Sequence, residues 1–389
     1  TRSTMMSFIG TLGLLVGYIV SQSLIRDIEN ETLGAILDPF GFRTFMVATK
    51  YWTVDDRNTM SMGLEGLLLL NRLVWMAVGA VVFVFTFFRF SFADTARPGK
   101  QKADEPPVAA VRANELKTVK PEFGLLWSLR QLISQLRIET ISMVKNVAFL
   151  VILIFGILNL SLSLYYATSI GYGLTVFPVT YNMVDTVRGS FFLFIAAIIT
   201  FYSGAIVWKE RESKVNDIYD ALPYPDWLPV VSKTLALSLT VLLLLLTGCA
   251  VGIVKQLTSG YTDIRPDVYF TELVLNDGLS FLNVIALSIF IHSVVNNRYL
   301  GYFLFVVVLI ANSFVWPALD VQSNLAIFNS TPSLTYSDMN GFGPFLLPVW
   351  SFSTYWALAS LILLAGALLY WVRGREQDFG IRTRLAQQR

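Results

Sequence analysis

Apolar residues fall in long unbroken runs separated by shorter polar stretches. Eight runs approach the roughly 20 residues a helix needs to cross a bilayer, where every backbone amide must bond within its own segment. They lie near Met5–Ser21, Gly66–Phe88, Val147–Tyr166, Ser190–Trp208, Leu228–Val254, Leu279–Val295, Tyr299–Trp316 and Phe352–Val372. The pattern predicts an all-α polytopic membrane protein of about eight transmembrane helices. Asn296, Asn297 and Arg298 predict a very tight turn between spans six and seven. Nothing near the start has the layout of a cleavable signal peptide.

The polar stretches organise the chain. Ser91–Val119 carries Pro98, Pro106, Pro107 and mixed charge, and reads as a flexible linker. It divides the chain into residues 1–90 (two spans with a loop between them), 91–122 (linker), 123–375 (six spans) and 376–389 (tail). After the linker, Leu125, Leu126, Leu129, Leu132, Ile133 and Leu136 fall at helical spacing, with Arg130 and Arg137 off that stripe. This predicts an amphipathic helix lying in the membrane interface, or alternatively packed on a soluble partner.

The polar segments after spans one and seven share a layout. Each carries Asp and ends in a Gly-containing apolar run, Gly63–Trp75 in one and Gly341–Trp350 in the other. They suggest a weak internal repeat: the last two spans of one half, then a complete half. Pro344 and Pro348 should break the second run into a short re-entrant piece. Such backbone survives at membrane depth only against protein or a cavity.

Lys and Arg set an expected direction. With the N-terminus inside, the inner segments hold 21 basic residues and the outer ones seven, with Arg72 at the outer end of span two. Both ends are then cytoplasmic. The loop after span four, Trp208–Lys233, lies on that side. In it Val215, Ile218, Tyr219 and Leu222 sit at i, i+3, i+4 and i+7, which predicts a short helix with one apolar face. Ser213 can cap it and Pro223 ends it. Glu210, Arg211, Glu212, Asp217 and Asp220 cover the rest. Those acids disfavour an anionic leaflet, so the groove of a partner protein fits the apolar face better.

Composition narrows the chemistry. Of 389 residues, 54% are hydrophobic and 14% charged, which excludes an ordinary soluble enzyme, a disordered chain and a basic nucleic-acid binder. The net charge of +2 matters less than its distribution. One cysteine, Cys249, and one histidine, His292, exclude an intrachain disulfide, a bis-histidine haem and a His-Glu-x-x-His zinc site. No metal site is expected. His292 reads either as a proton relay or as a hydrogen bond to a neighbouring helix, and Cys249 as packing. Asn159, Asn283 and Asn312 lie inside spans, and either line a substrate path or bond between helices. Mid-depth carboxylates are nearly absent, which disfavours an ion-driven carrier. Asp55, Asp56, Asp320 and Asp338 read as a solvated face rather than a calcium loop.

The order of interfacial helix, span, loop, span, acidic helix ending in Ala-Leu-Pro, and four further spans resembles the permease subunit of type-two ABC exporters. The chain is most similar to the double-length bacterial permeases often fused to an aminopeptidase N class zinc peptidase. The residues carrying that likeness are Leu37–Gly41, Thr49–Thr53, Arg57–Thr59, Gly66–Trp75, Asp220–Pro223, Asn296–Gly301 and Tyr336–Gly341. The resemblance implies a bacterial inner-membrane exporter whose acidic helix (Glu210, Glu212, Val215, Asp217, Ile218, Tyr219, Asp220, Leu222) docks on a separate ATPase subunit. ATP and Mg would be bound there, since this chain has no Gly-x-x-x-x-Gly-Lys-Ser/Thr loop. The family has six spans before the linker and this sequence has two. The chain therefore resembles a piece beginning late in the first half, with any peptidase beyond Arg389. The competing expectation is a membrane anchor for a peptidase or other partner that transports nothing.

Overall fold

A computed structural model describes residues 31–89, 124–170, 174–371 and 379–388, together with Gly10, Thr11, Gly13, Leu14, Gly17 and Tyr18. Most of the first predicted span and the whole linker lie outside the described residues. The regular structure of the described chain is helical apart from a two-residue antiparallel pair, β1 (Ser169–Ile170) with β2 (Leu174–Thr175), and a bridge between Ser337 and Gly341. Seven helices among the described residues are long and apolar enough to cross a membrane. The protein is a polytopic helical membrane protein. Its contacts divide it into two units, residues 17–121 and residues 1–16 with 122–389.

The unit of residues 17–121 holds α1 (Glu31–Leu37), α2 (Phe42–Ala48), α3 (Val54–Thr59) and the long α4 (Gly66–Arg89). Buried Asp38 turns the chain between α1 and α2, accepting hydrogen bonds from Phe40 N (3.1 Å) and Arg43 N (2.7 Å). Asn71 of α4 satisfies the carbonyls that α1 leaves unpaired, donating to Ala35 O (2.9 Å), Ile36 O (3.1 Å) and Asp38 O (2.8 Å). Thr53 and Asp56 form a capping box on α3. Most of α4 beyond Asn71 exposes its apolar side chains, as a helix surrounded by lipid or other helices does.

The larger unit runs α5 (Leu125–Val144), α6 (Val147–Ala167), α7 (Thr180–Glu212), α8 (Asn216–Asp220) and α9 (Leu228–Thr258). Then come α10 (Pro266–Tyr269), a π-helical segment (Phe270–Asp277) and α11 (Gly278–Val294), which form one rod. The chain ends in α12 (Arg298–Ala318), α13 (Leu346–Tyr370) and α14 (Phe379–Gln388). α7 is the central post and touches α6, α9, α11 and α12. Its Phe191, Phe194, Ile195 and Ile198 are almost fully buried. The run Ser190–Trp208 underestimates it: the helix begins ten residues earlier, because Asp185 and Arg188 find charged partners instead of ending it.

Three residues, Val295 to Asn297, join α11 to α12. Asn297 caps α12 by accepting from Tyr299 N (2.9 Å) and Leu300 N (3.3 Å). Arg382 of α14 caps helix ends in the opposite sense. Buried, it donates to Ser293 O, Val294 O (2.9 Å) and Tyr370 O (2.7 Å), the unpaired carbonyls ending α11 and α13, and to the Asn296 side chain.

The expected re-entrant break at Pro344 and Pro348 is not formed. A 3-10 turn, Gly343–Phe345, runs straight into α13. Both prolines fall in the first turns, where a missing N–H costs no helical bond. The segment that folds back onto the helices is instead Asn324–Ser330. Asn312 of α12 donates to Phe328 O (3.0 Å) and accepts from Phe328 N (3.0 Å). Asn329 accepts from Asn283 of α11 (2.8 Å), and Trp356 of α13 donates to Ser330 O (2.9 Å).

Candidate functional site

The acidic loop after α7 begins where that helix is forced to stop. Lys214 adopts a left-handed conformation (φ 56°), Val215 N donates to Glu210 O (3.1 Å) and Lys214 N to Arg211 O (3.1 Å). This is a Schellman ending. Ser213 is therefore the C-cap of α7 rather than the N-cap of the next helix, and the expected helix Ser213–Leu222 shortens to the five residues of α8.

The predicted apolar face divides. Ile218 is 72% exposed, Leu222 50% and Val215 43%. Tyr219 turns inward, packs at a tilt against buried Tyr224 (ring centres 5.0 Å apart) and meets Gln135 of α5 through its hydroxyl. Burial pushes the Tyr219 hydroxyl up to about 12. Glu212 pairs with Arg298, Asp217 is exposed and accepts from Asn216 (3.1 Å), and Asp220 accepts from the Tyr224 hydroxyl (3.4 Å).

Beneath this loop lies a buried ion network that the hydrophobic pattern did not single out. Lys233, near the start of α9, is fully buried. Its ammonium donates to Ile206 O (2.7 Å) and Glu210 (2.6 Å) on α7 and stands 3.7 Å from Glu139 on α5. Glu139 also accepts from Lys209 (2.8 Å). Three helices are thus tied together by two cations and two carboxylates at the root of α8. In the sequence these residues read only as loop charges.

α5 continues well past Leu136, the last residue of the predicted apolar stripe. Its apolar stripe also divides: Leu125, Leu129 and Ile133 are exposed, whereas Leu132 and Leu136 are half-buried beside Gln131, Gln135 and buried Glu139. The exposed side carries Leu125, Leu129 and Ile133 together with Ser134 and Arg137, so apolar and polar positions are not divided between the two sides. Arg130 stays exposed.

A second ion cluster lies at the other end of α7. Arg188 reaches Asp185 (3.0 Å), Glu272 (3.1 Å) and Asp277 (3.0 Å). Glu272 and Asp277 are both buried. Five residues apart, they would sit about 140° apart on an α-helix. The π segment brings them to one side. The sequence signal was there, two acids and an arginine beside apolar runs, but it read as a loop.

The remaining candidates are scattered. Asn159 bonds Ser190 O (3.0 Å) across α6 and α7. Asn283 accepts from Ser360 (2.8 Å), and Asn312 anchors Phe328. Each bonds between segments, and Asn283 and Asn312 both hold the segment Asn324–Ser330. Cys249 is buried in packing. His292 bonds no neighbouring helix through either ring nitrogen among the described residues. Its ring is wedged edge-on to Tyr302 (5.1 Å) where α7 and α12 close around it on Gly204 and Gly301; a Cβ on Gly301 would stand 2.4 Å from the ring. A cavity of about 30 Å³ beside it, bordered by Glu210, Asn216, Tyr219, Asp220 and Ser293, has room for about one water. Among the described residues no group of His, Cys, Asp and Glu is placed to hold a metal.

Comparison of the chain with protein-family models, with curated proteins and with solved structures finds no match.

Proposed function

We propose that this chain is the transmembrane subunit of an ATP-driven exporter of the ABC type, moving an unidentified hydrophobic or peptide substrate across the bacterial inner membrane. A separate ATPase subunit binds ATP and Mg and docks on α8. In this reading the chain has eight spans, both ends are cytoplasmic, and residues 1–90 belong to one permease half while residues 123–375 form the other.

The observation that carries the reading is the wedge at α8. Ile218 stands exposed on a helix too short to be stable alone, with exposed Val215 and Leu222 flanking it on either side. Its root is fixed by Tyr219 on Gln135 and by the Schellman turn into α7. A push on the wedge passes into α7 directly, into α5 through Gln135, and into α9 through Glu210 and Lys233. ATP-driven closure of the docked subunits would thereby rock three helices together.

Ile218→Asp and Leu222→Asp test this. Both side chains are exposed, so each should change stability by no more than about 0.5 kcal/mol. Either should abolish co-purification of an ATPase subunit with the chain from native membranes. Unchanged co-purification by both variants would sink the docking role. A native complex holding a peptidase and no ATPase would leave the membrane-anchor reading in its place.

A further inference from the structure

One cleft between α6 and α9 combines an apolar floor with a cationic mouth. Its floor is a groove of about 720 Å³ bordered by Ile157 and Ser161 on α6 and by Leu239, Leu243, Thr247 and Val251 on α9. One turn further along both helices lies a second pocket of about 360 Å³, bordered by Tyr165, Thr168, Lys255 and Ser259 together with residues 176–178. Ile157, Ser161 and Tyr165 keep one face of α6 up to its C-cap Thr168, and positions 243, 247, 251 and 255 form an i, i+4 ridge that winds along α9 to its C-cap Ser259. The Lys255 ammonium lies 5.7 Å from the centre of the Tyr165 ring. It makes no ion pair among the described residues, and no acid borders the mouth.

Depth decides what fits. Between Lys233 and Lys255, α9 has 21 residues without a charge, a rise of about 32 Å and so close to the thickness of a hydrocarbon core. Lys255 therefore stands at headgroup level while the groove lies within the hydrocarbon. From Leu239 to Val254 the groove follows α9 for about 22 Å, more than the roughly 15 Å of one leaflet's hydrocarbon. A water-soluble anion would fill the mouth and leave the groove empty; an uncharged lipid would fill the groove and ignore the cation.

We propose that this cleft is a binding site for an anionic phospholipid. One acyl chain lies along α6 and α9, and the phosphate sits against Lys255 with the Ser259 hydroxyl within reach. The site is independent of the transport reading, since it needs only the bilayer and these two helices.

The test uses the purified chain in detergent, stripped of lipid, with phosphatidylglycerol, phosphatidylcholine of the same acyl chains, or inorganic phosphate added. Phosphatidylglycerol should raise the thermal unfolding midpoint saturably, and native mass spectrometry should count it as a retained adduct. Lys255→Gln should raise the half-saturating phosphatidylglycerol concentration about fivefold, the weight of one basic residue at a membrane surface. Lys255→Arg should keep the response. Ala250→Trp, at an exposed position bordering the groove, should remove the saturable response while leaving the lipid-free midpoint in place. Equal responses to phosphatidylcholine and phosphatidylglycerol would overturn the proposal. So would a full response to phosphate alone, or an unchanged response in both Lys255→Gln and Ala250→Trp.

Discussion

α7 carries a buried ion cluster near each end, separated by about 30 Å of helix, and the two are built on different arithmetic. At one end Lys209 and Lys233 face Glu139 and Glu210, two charges against two. At the other, Arg188 alone faces Glu272, Asp277 and the exposed Asp185. Buried charges are tolerated only when paired, and removing one partner costs more than the pair contributes. A balanced cluster is thus damaged by the loss of any member. A cluster with surplus acid depends on its one cation and is relieved by losing a carboxylate.

Substitutions that neutralise one group at a time separate these cases. Arg188→Gln should have the largest effect, a loss of about 3–5 kcal/mol in detergent unfolding, because it orphans two buried acids at once. Lys233→Met should follow at about 3 kcal/mol, since Glu139 keeps Lys209. Adding Glu210→Met to it should recover part of that loss, and strict additivity in the double-mutant cycle would show that the pair is not coupled. The smallest effects make the sharpest contrast. Glu139→Gln should cost about 1–3 kcal/mol, the loss of hydrogen bonds to charged groups. Glu272→Gln should stay within about 1 kcal/mol of the parent, because acid repulsion falls as one bond to Arg188 weakens. If Glu272→Gln proves as damaging as Glu139→Gln, charge balance does not distinguish the two ends.

The same contrast explains what was legible in the sequence. Hydrophobic length gave α4, α6, α9 and α12 to within a few residues, because each carries a long apolar run, charged only near its ends. It failed at Thr180–Gly189 and at Pro266–Asp277, where helix continues through charges. Asp185, Arg188, Glu272 and Asp277 look like loop residues until they are seen to neutralise one another. Lys233 was legible only as a basic residue near the end of a predicted span, since its partners lie 23 and 94 positions away in the chain. The exposed wedge of α8 was readable because Val215, Ile218 and Leu222 interrupt a charged loop. Its length was not, because the left-handed Lys214 is a position where glycine is the usual marker. The inward turn of Tyr219 depended on Gln135, a residue without any local signal.

The three-residue turn between α11 and α12 leaves no slack, and Arg382 rivets the end of α13 to the same spot. A displacement of any one of these three spans at that point is therefore passed on to the other two.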